Sequence, residues 1–123
     1  MDRDAFSGWL ERYFAAWRSN DPAEVAALFA EDAVYSSGPF MEPTSGRDPI
    51  VRGWVAGGVQ PGLETSFEVL AVEGERGVAN WRVSFDTADG GRVMVDGILV
   101  CDFDGAGRCT LHREWFGRRE VPR

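Results

Sequence analysis

At 123 residues the chain is sized for one domain, and folding at that length buries about two thirds of the unfolded surface without a disulfide or metal staple. A formal charge of -7 excludes nucleic acid and anionic membranes as partners, since both call for a basic footprint. All thirteen basic residues are arginine, which removes Schiff-base, pyridoxal phosphate and P-loop chemistry, and no GxSxG, GxGxxG, HExxH or CxxC motif is present.

Apolar side chains at Phe6, Leu10, Tyr13, Phe14 and Trp17 recur at helical spacing and predict an amphipathic helix from about Asp4 to Ser19. Asp21-Pro22-Ala23-Glu24 restarts the helix with a cap, a proline at the first position and a capping-box glutamate, which carries a second helix to about Ala30. Asp32 to Ser37 reads as a strand, and Gly38 to Gly46 as a loop rich in glycine and proline. Asp48-Pro49 repeats the cap signal for a third helix through Trp54, ending near Gly57-Gly58. Beyond Pro61-Gly62 four strands are expected at about 63–73, 76–86, 92–103 and 108–118, with glycine-bearing turns between them. The fold class is therefore α+β, with three N-terminal helices covering a mainly antiparallel meander in a single domain over 1–123. Neither a membrane-spanning apolar run nor a signal peptide is present, so a reducing cytoplasm is expected.

The last strand, Cys109-Thr-Leu-His-Arg-Glu-Trp-Phe116, holds the candidate chemistry. Alternation puts Thr110, His112, Glu114 and Phe116 on one face, with Cys109, Leu111, Arg113 and Trp115 on the other. Both faces are partly apolar, so the sheet is expected to contact something on each side. A four-residue loop from Asp104 to Gly107 would set Cys101 opposite Thr110, Leu99 opposite His112 and Gly97 opposite Glu114. In that register Cys101 and Cys109 point to opposite faces. They should then stay free thiols and not complete a metal site with His112.

Several segments together resemble the SnoaL-like branch of the nuclear-transport-factor-2-like superfamily. These are Arg12-Tyr-Phe-Ala-Ala-Trp17, Asn20-Asp21, Leu28-Phe-Ala-Glu-Asp-Ala-Val34, Gly46-Arg-Asp-Pro-Ile50 and Phe103-Asp-Gly-Ala-Gly-Arg108, leading into Arg113-Glu-Trp-Phe116. The resemblance covers nearly the whole chain in order. It implies a cone in which a strongly curved sheet wraps three helices around an apolar cavity, and pairing of copies through the outer sheet face. Ketosteroid isomerase shares this fold and works with a carboxylate base, a tyrosine and a protonated aspartate. Its tyrosine falls on Tyr13, its base on Ser37 and its oxyanion aspartate on Leu99, so two of that enzyme's three groups are replaced here.

The same resemblance directs Tyr13, Tyr35, Ser37, Trp81, Val83, Phe85, Leu99, His112, Glu114 and Phe116 into the cavity, with Trp54 as a further wall residue. His112 and Glu114, roughly 7 Å apart along the strand, form a candidate dyad in which Glu114 orients or charges His112 and His112 moves a proton on a ligand, while Tyr13 polarises its carbonyl. They could equally satisfy one another in a pocket that only binds, and Glu114 could instead pair with Arg12 or Arg108. On the outer face Arg82, Asp96, Arg113 and Trp115 are candidate dimer contacts; Arg113 could stack on a ring across the interface or pair with Asp96 within one chain. The expected partner is a small apolar carbonyl compound, turned over by isomerisation, cyclisation or dehydration or simply bound, and no cofactor or metal site is legible.

Overall fold

In the computed structural model, which describes residues 1–122, the carboxylate of Asp2 caps the first helix, accepting the Ala5 N–H at 2.8 Å. This helix, α1 (Arg3–Ser19), ends where Asn20 turns left-handed at φ 55° and returns its N–H to the Ala16 carbonyl. Asp21 caps α2 (Pro22–Ala26), as its sequence predicts. The helix stops short of Ala30 because Leu28-Phe29 turns into the sheet, and β1 already runs over Phe29–Ser36. The stretch read as a loop contains a short strand, β2 (Thr44–Ser45), antiparallel to β1. In α3 (Arg47–Ala56) the cap position is Gly46, with no side-chain cap, so Asp48 sits inside the first turn.

The meander follows as β3 (Glu64–Glu73), β4 (Arg76–Asp86), β5 (Arg92–Phe103) and β6 (Cys109–Val121). The six strands form one sheet in the order β2-β1-β6-β5-β4-β3, antiparallel throughout except that β6 runs parallel to β1. The expected fold class holds. Its core is an aromatic block: Phe6, Trp9, Tyr13 and Phe14 of α1 are buried against Phe29, Phe103 and the inner residues of β4 and β5. Trp9 lies at its centre, its ring edge-on to Phe29 and Phe103 and its indole N–H donated to the Leu28 carbonyl at 3.1 Å.

The final hairpin corrects the expected register. Leu99 faces Glu114, Cys101 faces His112 and Gly97 faces Phe116, a shift of two residues that preserves which side each points to. One residue of the shift comes from the turn, where Phe103 pairs with Cys109 and not with Arg108, and the other from a bulge: Asp102 pairs with Leu111, leaving Thr110 as the extra residue. Cys109 is held there from the other side by β1, its N–H donating to the Leu28 carbonyl at 2.9 Å. The bulge reverses the alternation before Leu111, so Cys109 turns inward beside Cys101 instead of away from it, and both thiols are buried and unbridged. Gly97 offers no room beside Glu114. A Cβ there would lie 2.5 Å from the Trp115 carbonyl oxygen and 2.7 Å from the Phe116 Cβ, so glycine is needed for the strands to approach.

Candidate functional site

The parallel pairing of β1 with β6 sets Tyr35 directly beside His112, and their rings stack at 4.2 Å. From α1 the Tyr13 ring reaches the same imidazole, nearly parallel to it at 5.4 Å. Four side chains are thereby chained by hydrogen bonds. The two tyrosine oxygens are 3.1 Å apart, the Tyr35 hydroxyl donates to Glu114 Oε1 at 3.4 Å, and His112 Nε2 lies 3.1 Å from Glu114 Oε2. Because an ionised carboxylate only accepts, Tyr35 spends its proton on Glu114, and the proton between the two hydroxyls belongs to Tyr13.

Electrostatics keep this chain protonated in a definite way. Burial, then the neighbouring Tyr35 and Glu114, raise the Tyr13 hydroxyl well above the ordinary phenol range; burial and Glu114 do the same to Tyr35, partly offset by the bond from Tyr13. Both therefore remain donors. Burial opposes a charge on His112, but the neighbouring Cys109 and Glu114 outweigh that and raise it to about 9. Burial likewise pushes the Cys109 thiol up, while hydrogen bonds from Cys101 and His112 bring it down to about 6; Cys101, desolvated beside it, is raised. His112 Nδ1 lies 3.3 Å from Cys101 Sγ, and the donor atoms of Cys101, Cys109 and His112 all fall within 4.8 Å of one another.

Above this chain is a pocket of about 430 Å³, within the roughly 300–1,000 Å³ usual for small-molecule sites. Tyr13, Tyr35, Ser37, Trp54 and Glu114 line it, all five singled out by sequence. His112 does not: it is fully buried beneath the tyrosines and meets the pocket through them and Glu114. Five expected wall residues are also elsewhere, among them Val83, which is buried in the core. Leu99 and Trp81 are buried in the core, Phe85 packs against that core, and Phe116 is 47% exposed beyond the point where β6 leaves the helices. Neither Arg12 nor Arg108 pairs with Glu114 among the described residues; its partners are His112 and Tyr35.

Sequence reasoning missed Trp17, Asn20, Ile50 and Gln60, which complete the wall. Trp17 was assigned to the buried helix face, but its indole N–H donates to the Gln60 side chain at the pocket rim. Asn20 enters the sequence reading only within the Asn20-Asp21 motif; its amide donates to the Val55 carbonyl at 3.1 Å and ties α1 to α3. A polar residue in the left-handed position at a helix end, facing another helix, was the available signal. The wall is thus more polar than expected, with two phenols, a carboxylate and two amides among the tryptophans.

On the outer face, Asp96 takes Arg82 at 2.9 Å and Asn80 at 2.7 Å, so it is not the partner of Arg113. The Arg113 guanidinium instead lies 5.7 Å from the Trp115 ring of its own strand.

Comparison with known proteins agrees with the geometry. A steroid Δ-isomerase of Nocardioides simplex is 35% identical over 109 residues, spanning 87% of this chain and 85% of its own. Among solved structures, the epoxide hydrolase/cyclase-like enzyme SalBIII, described in pyran ring formation in the polyether salinomycin, superposes with a TM-score of 0.77 at 14% identity, over 94% of this chain and 93% of that one. An LEH-like epoxide hydrolase of M. tuberculosis gives 0.73 at 20% identity, over 89% and 80%. TsrD of Streptomyces laurentii gives 0.74 at 21% identity, over 94% and 90%. These three establish the shared fold. The family model of the SnoaL-like domain matches residues 10–112, which takes in the tyrosine of α1 and the imidazole of β6 alike, and the chain belongs to that family.

Proposed function

We propose that the protein is a cofactor-free isomerase that moves a proton along the carbon skeleton of a small, largely apolar carbonyl compound. The observation that carries this reading is the placement of Glu114: the chain's pocket-lining carboxylate touches a buried imidazole on one oxygen and a tyrosine hydroxyl pair on the other. Glu114 replaces, from the last strand, the base that the related isomerase would present at Ser37. The steroid Δ-isomerase relative supports the reaction class.

In this scheme a ligand carbonyl accepts the Tyr35 proton, a diversion made easy because the Tyr35 to Glu114 bond is long at 3.4 Å. That frees Glu114 Oε1 to take a proton from the carbon next to the carbonyl. The C–H electron pair passes into the enolate, whose oxygen is held by Tyr35 with Tyr13 behind it. Glu114 then returns the proton to the far end of the conjugated system, moving the double bond. Throughout, His112 holds Oε2 and fixes the carboxylate's orientation, a positioning role opposite to the proton transfer that the sequence assigns to it. The test is exchange in deuterium oxide with β,γ-unsaturated ketones: deuterium at the α or γ carbon is expected with the protein and not with a Tyr13→Phe, Tyr35→Phe double variant. Equal incorporation by both would sink the scheme.

A second reading, a pocket that binds without turnover, has one observation in its favour: both carboxylate oxygens are already satisfied within the protein. Ligand binding with no exchange would select it. A homodimer through the outer sheet face also belongs to this proposal, because Leu70, Met94 and Trp115 are each more than 40% exposed there. Arg82 and Asp96, paired with each other, line a neighbouring groove with Met94. Sedimentation at micromolar concentration should give a dimer, and Trp115→Glu should shift it toward monomer; a monomeric parent removes the idea.

A further inference from the structure

We propose that Cys101, Cys109 and His112 form a metal site for a thiophilic divalent cation, zinc above all, in the layer beneath the pocket. None of the three lines the pocket, and all three are buried, with their donor atoms within 4.8 Å of one another. Two thiolates and an imidazole are the donor set zinc favours. With Zn–S near 2.3 Å and Zn–N near 2.0–2.1 Å, ligand atoms around one ion stand roughly 3.5–3.8 Å apart, so closing this cluster on an ion takes side-chain adjustments of about 1 Å or less. Cys101 Sγ and His112 Nδ1, at 3.3 Å, need only open slightly.

Three further observations point the same way. The bulge at Thr110 turns Cys109 inward, where unbroken alternation would have aimed it away from Cys101; without it there would be no cluster. The ligands sit on the paired strands β5 and β6, so their positions are fixed by backbone hydrogen bonds and not by a loop. His112 already makes, through its other nitrogen, the carboxylate contact at 3.1 Å that orients metal-bound histidines. Charge also selects the ion. Two thiolates, a neutral imidazole and Zn²⁺ sum to zero over the ion and its direct ligands, whereas a monovalent ion would leave a net negative charge there beside the Glu114 carboxylate. The fourth position of a tetrahedron would fall to a small exogenous ligand. Because the cluster has no exposure, the ion would enter as the chain folds, when thiols and imidazole are accessible.

The site does not depend on the proposed isomerase reaction. It is tested by refolding the full chain, reduced and stripped of metal, with graded Co²⁺. A thiolate-to-cobalt charge-transfer band saturating at one equivalent per chain, bleached by one equivalent of zinc, is expected, and Cys101→Ser and Cys109→Ser should each reduce its intensity. Zinc should also raise the thermal midpoint of the parent and not of these variants. Absence of the band in the parent, or an unchanged band in both variants, overturns the site. Should the serine variants fail to fold, the parent spectrum decides alone, since the chain has only these two cysteines to supply a thiolate.

Discussion

Glutamine in place of Glu114 is expected to lower kcat about 10²–10⁴-fold on any carbonyl substrate the pocket turns over, the range for loss of a positioned general base, while ligand Kd changes little. The two numbers should separate because the amide is nearly isosteric and can still meet Tyr35 and His112, the carboxylate's present partners at 3.4 and 3.1 Å. What the amide lacks is basicity. Its neutral oxygen cannot hold a proton taken from carbon, so the loss falls on the transition state and not on ground-state binding. Stopped-flow kinetics beside calorimetric titration would measure both. A large rise in Kd with kcat unchanged would assign Glu114 to ligand binding alone and remove the base from the mechanism.

The second large effect concerns the fold. Trp9→Ala should cost about 3–5 kcal/mol, a major fraction of the roughly 5–15 kcal/mol that holds a typical domain together. Trp9 is 2% exposed, touches the rings of Tyr13, Phe29 and Phe103, and satisfies the Leu28 carbonyl. Alanine leaves a cavity where the N-terminal helix, β1 and the end of β5 meet, and takes one of the Leu28 carbonyl's two donors, leaving it the Cys109 N–H. Trp9→Phe should recover part of the packing but not the hydrogen bond. Urea unfolding should show a lower midpoint at unchanged slope; a loss under about 1 kcal/mol, far below the range for such truncations, would show that the aromatic block is not the keystone it is taken to be.

Most of the fold was legible because its signals are local. Asp21-Pro22 caps a helix wherever it occurs, and the alternation in β5 sends Leu99 and Cys101 inward whatever lies across from them. Site residues that depend on one element's periodicity followed: Tyr13, Tyr35 and Glu114 do meet. Missed features needed two elements at once. The bulge at Thr110 arises where β6 must satisfy β5 on one side and Leu28 on the other, and neither strand alone announces it. Gln60 reaches the pocket only because Trp17 of a distant helix captures it. Phe116 follows the inward pattern correctly, yet by that point on β6 the surface beside it is solvent.

The place of β6 in the sheet has a consequence for synthesis. β6 follows all of its sheet neighbours in sequence yet lies between β1 and β5, so in the sheet the N-terminal half and the meander are joined through it. While β6 is still within the ribosome, β1 and β5 each present an unpaired edge, and the tyrosines wait without the imidazole they stack on. Folding of this domain therefore waits on β6, and a nascent protein stalled before Cys109 would hold two open sheet edges for a chaperone to cover.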